Sequence, residues 1–363
     1  MTDRHDVIVI GGGQAGLAIG YLLADRARQF TILEAADAHA AAWRTRWDSL
    51  KLFTPARYDS LPGRTFPGDP DAYPGRDDVV AYLTDYARDF ELPIELDSAV
   101  RTVRRGERGY LVELDDRTYE TDHVVVATGP FQVPHVPAVA ERLAPDIVQF
   151  HSSAYRAPGD VPAGPVLVVG GGNTGFQIAE ELSRTHEVHL SIGARQTPLP
   201  QRIAGRDLFR YLQATGLMGR SANSRIGQRL QDRDTLIGSS PRAARRRGIH
   251  LHGRTVDVSG PDVTFSDGAR LRPSTVLWAT GFGLDHSWIE APVFEADGRL
   301  VHERGVTAAE GLYFLGLPWQ HTRGSALLGW IKDDAEYLAR RISAATPAQR
   351  ARASSAHVTL GRP

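Results

Sequence analysis

Short, uninterrupted apolar runs punctuate the chain, and two of them lead straight into glycine clusters. Val7-Ile8-Val9-Ile10 precedes Gly11-Gly12-Gly13-Gln14-Ala15-Gly16, and Val166-Leu167-Val168-Val169 precedes Gly170-Gly171-Gly172-Asn173-Thr174-Gly175. Such a run, bounded by turn residues, predicts a strand buried on both faces, as in a parallel sheet. Helical periodicity follows each cluster, over residues 14–28 and from Asn173 onward. Further apolar runs predict strands at 30–33, 124–126, 187–191, 276–279 and 312–315, with short strands near 94–96, 100–104 and 110–114. Residues 263–271 read as a hairpin turning at Asp267-Gly268. Helices are predicted at 77–90, with Val80, Leu83, Tyr86 and Ala87 on one face, at 207–214 and 225–231, and at 324–342. Strands alternating with helices predict an α/β fold with parallel sheets.

Each cluster reads G-x-G-x-x-G. The glycines allow a sharp turn and a close approach of backbone to a pyrophosphate at a helix N-terminus, where free N–H groups and the dipole favour negative charge. One copy is equally well a tight strand-to-helix turn. Two copies carry more weight, because each is continued by a second apolar run ending in Ala-Thr-Gly: Ala127-Thr128-Gly129, then Ala279-Thr280-Gly281. The fold class implied is α/β with two dinucleotide-binding (Rossmann-like) domains. After the first cluster, Glu34 closes the next predicted strand, close to the roughly 20 residues expected of a carboxylate that accepts both hydroxyls of an adenosine ribose. The second cluster has no acid at that place; Ile192-Gly193-Ala194-Arg195 stands there instead. An acid would repel a 2′-phosphate and an arginine pairs with it, so the second site suits NADPH better than NADH. Arg195 as a solvated loop residue is the competing reading.

Length and composition narrow the picture. A chain of 363 residues favours two domains, and 42% hydrophobic residues is enough to fill two cores. A formal charge of −1 gives no field for nucleic acid or an anionic membrane, and no uncharged apolar stretch reaches the roughly 18 residues of a span. The N-terminal residues lack a signal-peptide pattern, which gives a cytoplasmic expectation. Cysteine is absent. That removes disulfides, thiolate metal sites and every dithiol redox mechanism, and no metal site is expected. Lys51 and Lys332 are the only lysines, so Schiff-base chemistry has few candidates.

Three stretches remain. Residues 43–55 mix aromatic, charged and proline residues and read as a loop. The proline-rich passage 130–165 reads as a linker over the surface. Arg242, Arg245, Arg246 and Arg247 form a charge run best read as a solvated helix end. A helix beginning at Gly324 would aim its N–H groups near Arg323-Gly324-Ser325 at something anionic.

Taken together the residues resemble the class B flavoprotein monooxygenases, and within them a small bacterial branch labelled as cation-transport flavoproteins. The likeness rests on both glycine motifs, Trp43-Arg44 to Thr54-Pro55, His151-Ser152-x-x-Tyr155, Trp278 to Phe282, and 315–326. It implies FAD in the first unit, held by Gly11, Gly13, Gln14, Ala15, Gly16, Glu34, Ala35, Trp43, Arg44, Leu50, Phe53, Val100, Ala127, Thr128, Gly129, Gly316, Gly324 and Ser325. It implies NADPH in the second, held by Gly170, Gly172, Asn173, Thr174, Gly175, Arg195, Ala279, Thr280 and Gly281. The NADPH domain, 151–281, would be inserted into an FAD domain of 1–150 and 282–363. The family's signature before His151 is broken, with Pro145 and Ile147 in place of its Phe and Gly. Tyr155, where Baeyer–Villiger members carry Trp, points to heteroatom oxygenation. The activity implied is NADPH-driven reduction of FAD, formation of a C4a-(hydro)peroxyflavin with O₂, and oxygenation of a small N- or S-containing substrate. A reductase feeding another acceptor and a nucleotide sensor for a transporter are the alternatives. Asn173 either positions nicotinamide or oxygen, as a catalytic residue, or caps its helix. Substrate-lining candidates are Leu52-Phe53, Trp319-Gln320-His321 and the segment 197–247, and a homodimer is compatible with all of this.

Overall fold

The computed structural model describes residues 3–231 and 235–358, without the side chains of 3 and 346–358. The first sheet is assembled from β1 (Asp3–Ile10), β2 (Phe30–Leu33), β3 (Ile94–Glu95), β4 (Thr102–Arg105), β5 (Tyr110–Glu113) and β6 (Thr118–Val126). Strands β3, β2, β1 and β6 run parallel, while β4 and β5 form an antiparallel excursion against the N-terminal half of β6. The C-terminal half of β6 pairs in parallel with Leu312–Phe314, a strand almost 190 residues later.

A second sheet accounts for that gap. It contains β7 (Val148–His151), β8 (Val166–Val169) and β9 (Val188–Ser191), then His250–His252 and Thr275–Trp278, all parallel. Its strands lie between β6 and Leu312–Phe314 in the sequence, so the second unit is an insertion into the first. The two chain crossings pair with each other: Val133–Pro134 runs antiparallel to Phe282–Gly283, and the His135 amide donates to the Gly281 carbonyl at 2.9 Å.

Helix α1 (Gln14–Asp25) covers one face of the first sheet together with α3 (Arg76–Asp89) and the C-terminal helix Ile331–Val358, while α2 (Ala41–Arg44) is a single turn in the following loop. α3 buries Val79, Tyr82, Leu83, Tyr86 and Ala87, so its apolar face is rotated from the expected one and Val80 is half-buried at the margin. The reason is polar: the Tyr82 and Tyr86 hydroxyls reach the carbonyls of Arg64 and Pro62 at 2.7 and 2.6 Å. α4 (Asn173–Leu182) covers the second sheet.

Two expectations are corrected. The passage 130–165 is not all surface linker, because β7 within it forms an edge of the second sheet and straddles residue 150. The C-terminal helix starts at Ile331 and not at Gly324. Residues 324–330 are turns, and Gly329 passes so close to the Tyr58 carbonyl that a Cβ there would collide with it.

Candidate active site between two glycine turns

The two glycine turns have the same construction. Gly11 sits at φ +108°, and a Cβ on it would lie 2.6 Å from the Ala127 carbonyl oxygen. Gly170 sits at φ +129°, and its Cβ would collide with the Ala279 carbonyl oxygen. Each Ala-Thr-Gly end is therefore pressed against the first glycine of its own turn, which L side chains exclude by both conformation and space. Gly16 and Gly175, one helical turn in, approach the carbonyls of Gly11 and Gly170 just as closely. Gly13 and Gly172 differ, since a Cβ on either would meet nothing within 4 Å. They face open space, and each is the N-cap of its helix without a side-chain cap, so the first N–H groups are left for a ligand.

In the first unit Glu34 is fixed by the N–H groups of Gly12 at 2.7 Å and Ala36 at 3.1 Å. A carboxylate has about four acceptor positions, so two remain for ribose hydroxyls. Gln14 ties distant segments to the helix N-terminus: its amide donates to the Ala326 carbonyl at 3.0 Å and accepts from the Trp43 indole at 3.1 Å. Gly316, at φ +90°, faces the Ala15 methyl, which a Cβ on it would meet at 3.0 Å. Residues 43, 316 and 326 thereby converge on the first turn. Ser325 is buried, and its Oγ accepts from the amides of His321 and Thr322, both at 3.0 Å. Gly324 and Ser325 thus shape a turn against Trp330 and present no helix N-terminus, contrary to expectation. Gln132 bridges Thr128 and the Gly129 carbonyl, each at 2.9 Å. Arg44 is exposed on the His39 carbonyl, Ala35 is exposed, and Val100 packs half-buried against the first sheet. Leu50 and Phe53 lie toward the second unit, Leu50 on its core beside Trp47 and Phe53 stacked on Phe209 at 5.8 Å.

In the second unit Asn173 spans to the strand Thr235–Ile237. Its amide donates to the Thr235 carbonyl at 3.2 Å, and its oxygen accepts from the Ile237 N–H at 2.9 Å. It is the first helical residue and makes no cap, so the capping reading is corrected. Thr174 follows on the same turn, and the Thr280 hydroxyl donates to the His135 carbonyl. Where Gly12 faces Glu34, Gly171 faces Ile192 and Gln196. Beside them opens a cleft of about 450 Å³ whose lining includes Arg195, Arg245, His252 and Asp267. Arg245 comes from the run read as a solvated helix end. Four neighbouring arginines look alike in sequence, and only the helix Pro241–Arg246 singles out which one turns to the cleft.

Arg46, inside the stretch 43–55 but given no role of its own there, lies between the units. Its guanidinium sits 4.5 Å from the ring centre of Phe131 and 5.3 Å from that of Phe282, the aromatics that follow the two Ala-Thr-Gly ends. Burial lowers its pKa, with Arg156 adding to the effect. His151 packs edge-on against Phe282 and donates from Nε2 to the Gly281 carbonyl at 2.9 Å, while Nδ1 accepts from the Ser153 amide. Burial holds its pKa down, which suits this neutral tautomer. Tyr155 is fully buried in the second core with its hydroxyl on Glu181 at 2.9 Å.

Asp59 is 1% exposed at the junction of Phe53, Tyr58, Phe209 and Trp330. Thr54 donates to Oδ1 at 2.7 Å, and Oδ2 has no partner. Burial pushes its pKa up to about 8, the Thr54 bond opposes, and Asp207 adds to the rise. The folded state therefore keeps a proton that the unfolded chain loses near pH 4. Stability is full below that pH and declines by about 1.4 kcal/mol per unit until roughly pH 8, where it levels off. Asp59→Asn is expected to remove this decline, so thermal melts from pH 4 to 9 should diverge from wild type above pH 5, with the variant the more stable. Parallel melting curves would show that Asp59 is ionised in the fold.

Residues 8–202, more than half of the chain, match the family model described as pyridine nucleotide-disulphide oxidoreductase. The chain belongs to that family. Within it, an oxidoreductase of Geobacillus kaustophilus described as uncharacterized and CzcO-like is 43% identical over 93% of this chain and 98% of its own length. A flavin-containing monooxygenase from Stenotrophomonas maltophilia shares 28% identity and a TM-score of 0.80, over 95% of this chain and all of that one. Indole-3-pyruvate monooxygenase YUCCA4 of rice is 33% identical over 58% of this chain and 52% of its own. The protein is a flavin-dependent oxidoreductase of the flavin-monooxygenase type. The open faces of Gly13 and Gly172 over uncapped helix ends fit the pyrophosphates of two dinucleotides. The family's name invokes disulphides, yet this member has no cysteine. No helix among the described residues is long and apolar enough to cross a membrane.

Proposed function

We propose that the protein is a monooxygenase that consumes NADPH and O₂ and oxygenates a small N- or S-containing substrate. FAD would occupy the turn at Gly11–Gly16, in a unit of 1–150 and 282–363, and NADPH the turn at Gly170–Gly175, in 151–281. One observation carries the reading: two complete dinucleotide turns stand in a chain without a thiol, so electrons reaching the flavin have no dithiol exit. Bound flavin would supply hydride acceptance and oxygen activation. The chain would supply placement. Gln14, Trp43 and Ala326 hold the first helix end, Arg46 keeps a buried positive charge between the units, and Asn173 acts as a positioning residue by fixing Thr235–Ile237. The oxygenating adduct implied by the family needs water kept away, and the aromatic junction of Phe53, Tyr58, Phe209 and Trp330 is suited to that.

The test is stoichiometry. With a panel of amines, thioethers and ketones, oxygenated amine or thioether should form in proportion to NADPH and O₂ consumed. Release of all oxygen as peroxide whatever the substrate would remove the proposal, and turnover with a quinone or protein acceptor alone would mark a reductase.

A further inference from the structure

We propose that Glu187, His189 and His250 form a binding site for a divalent transition-metal ion, Zn²⁺ by their ligand chemistry, at the outer edge of the second sheet. A chain without cysteine is expected to hold no metal, but missing cysteine argues only against thiolate ligands. Imidazole and carboxylate remain, and the fold brings three of them together.

The placement follows from strand geometry. Side chains two apart in a strand share a face, which puts Glu187 and His189 on the same side at the start of β9. His250 is the direct partner of His189 on the adjacent parallel strand. The ligand atoms of the three residues all lie within 4.8 Å of one another. His189 Nε2 is 3.0 Å from Glu187 Oε1, and the His189 and His250 rings stack with centres 4.7 Å apart and planes 20° apart. The other nitrogen of His189, Nδ1, lies 2.9 Å from His252 Nε2. A ligand histidine ordinarily has such an outer partner, which fixes its tautomer and aims the free nitrogen at the ion.

Two imidazoles and a carboxylate suit zinc and its neighbours, whereas Mg²⁺ and Ca²⁺ favour all-oxygen shells. Zinc bonds of about 2.0–2.2 Å need the ligand atoms drawn a little closer than they stand. His189 is buried and serves as the fixed anchor, while Glu187 and His250 are exposed and free to close by side-chain rotation. Water would complete a tetrahedron. The proposal does not depend on the cofactor assignments.

The experiment uses the untagged full-length chain, stripped with a chelator and titrated with Zn²⁺ by calorimetry and by thermal melting. Expected are one ion per chain, a rise in melting temperature reversed by EDTA, and no response to Mg²⁺. Glu187→Gln and His250→Ala should each weaken binding by about tenfold or more, and His189→Ala should abolish it. His186→Ala, one residue outside the cluster, should bind as wild type does. Absence of saturable Zn²⁺ binding, or wild-type affinity in both Glu187→Gln and His250→Ala, would overturn the proposal. Because those two side chains are exposed, they decide the matter even if His189→Ala fails to fold.

Discussion

Gly13→Val is expected to yield a folded but colourless protein. A Cβ at Gly13 meets nothing within 4 Å, so the fold accepts the side chain, but the new methyls occupy the space over the first N–H groups of α1. Losing two charge-assisted hydrogen bonds, each worth about 1.5–3 kcal/mol, weakens FAD roughly a thousandfold. Flavin absorbance per chain reports the binding, and circular dichroism with a thermal melt reports the fold. Gly172→Val is the counterpart: a yellow protein with normal flavin content that no longer responds to NADPH. Gly16→Ala serves as the contrast, because its Cβ strikes the Gly11 carbonyl and should lower stability itself. A Gly13→Val protein with full flavin content would move FAD away from this turn.

The second large effect concerns coenzyme choice. Arg195→Ala should raise the KM for NADPH and leave that for NADH nearly unchanged, since NADH has no 2′-phosphate to lose. One exposed charged hydrogen bond of about 1.5–3 kcal/mol corresponds to a ten- to hundredfold drop in preference. Arg245 lines the same cleft, so Arg245→Ala should act in the same direction and the double variant should lose most of the discrimination. Flavin content should stay normal throughout. An unchanged NADPH to NADH ratio in the double variant would make both arginines surface residues.

Local chemistry made the two turns legible. Gly16 and Gly175 are required by the carbonyls of Gly11 and Gly170 within the same strand–turn–helix units, so spacing alone reveals them, whereas Gly11 and Gly170 face the distant Ala127 and Ala279 carbonyls and were legible through the repeated Ala-Thr-Gly ends. Glu34 was legible because a strand end follows the turn at a set distance. Long-range pairing hid the rest. Nothing near His189 in sequence points to His250, and only the parallel register does. Arg245 was lost among equivalent neighbours, and Arg46 gains its place only when Phe131 and Phe282, far apart in the chain, meet over it. The start of the C-terminal helix was misread because the apolar residues at 327 and 328 fit helical spacing, while the tight passage of Gly329 over Tyr58 holds that stretch in turns.

The zipped pair of crossings, Val133–Pro134 with Phe282–Gly283, means that the inserted unit leaves and re-enters the first at one place. Its ends lie side by side, as in a cassette. Exchanging residues 135–281 for the corresponding stretch of an NADH-preferring relative would transplant the coenzyme end whole, with the pairing of β6 to Leu312–Phe314 left in register. The donor would have to bring its own version of 46–50, because Trp47 from the first unit is sealed into the second unit's core and would otherwise meet a foreign surface.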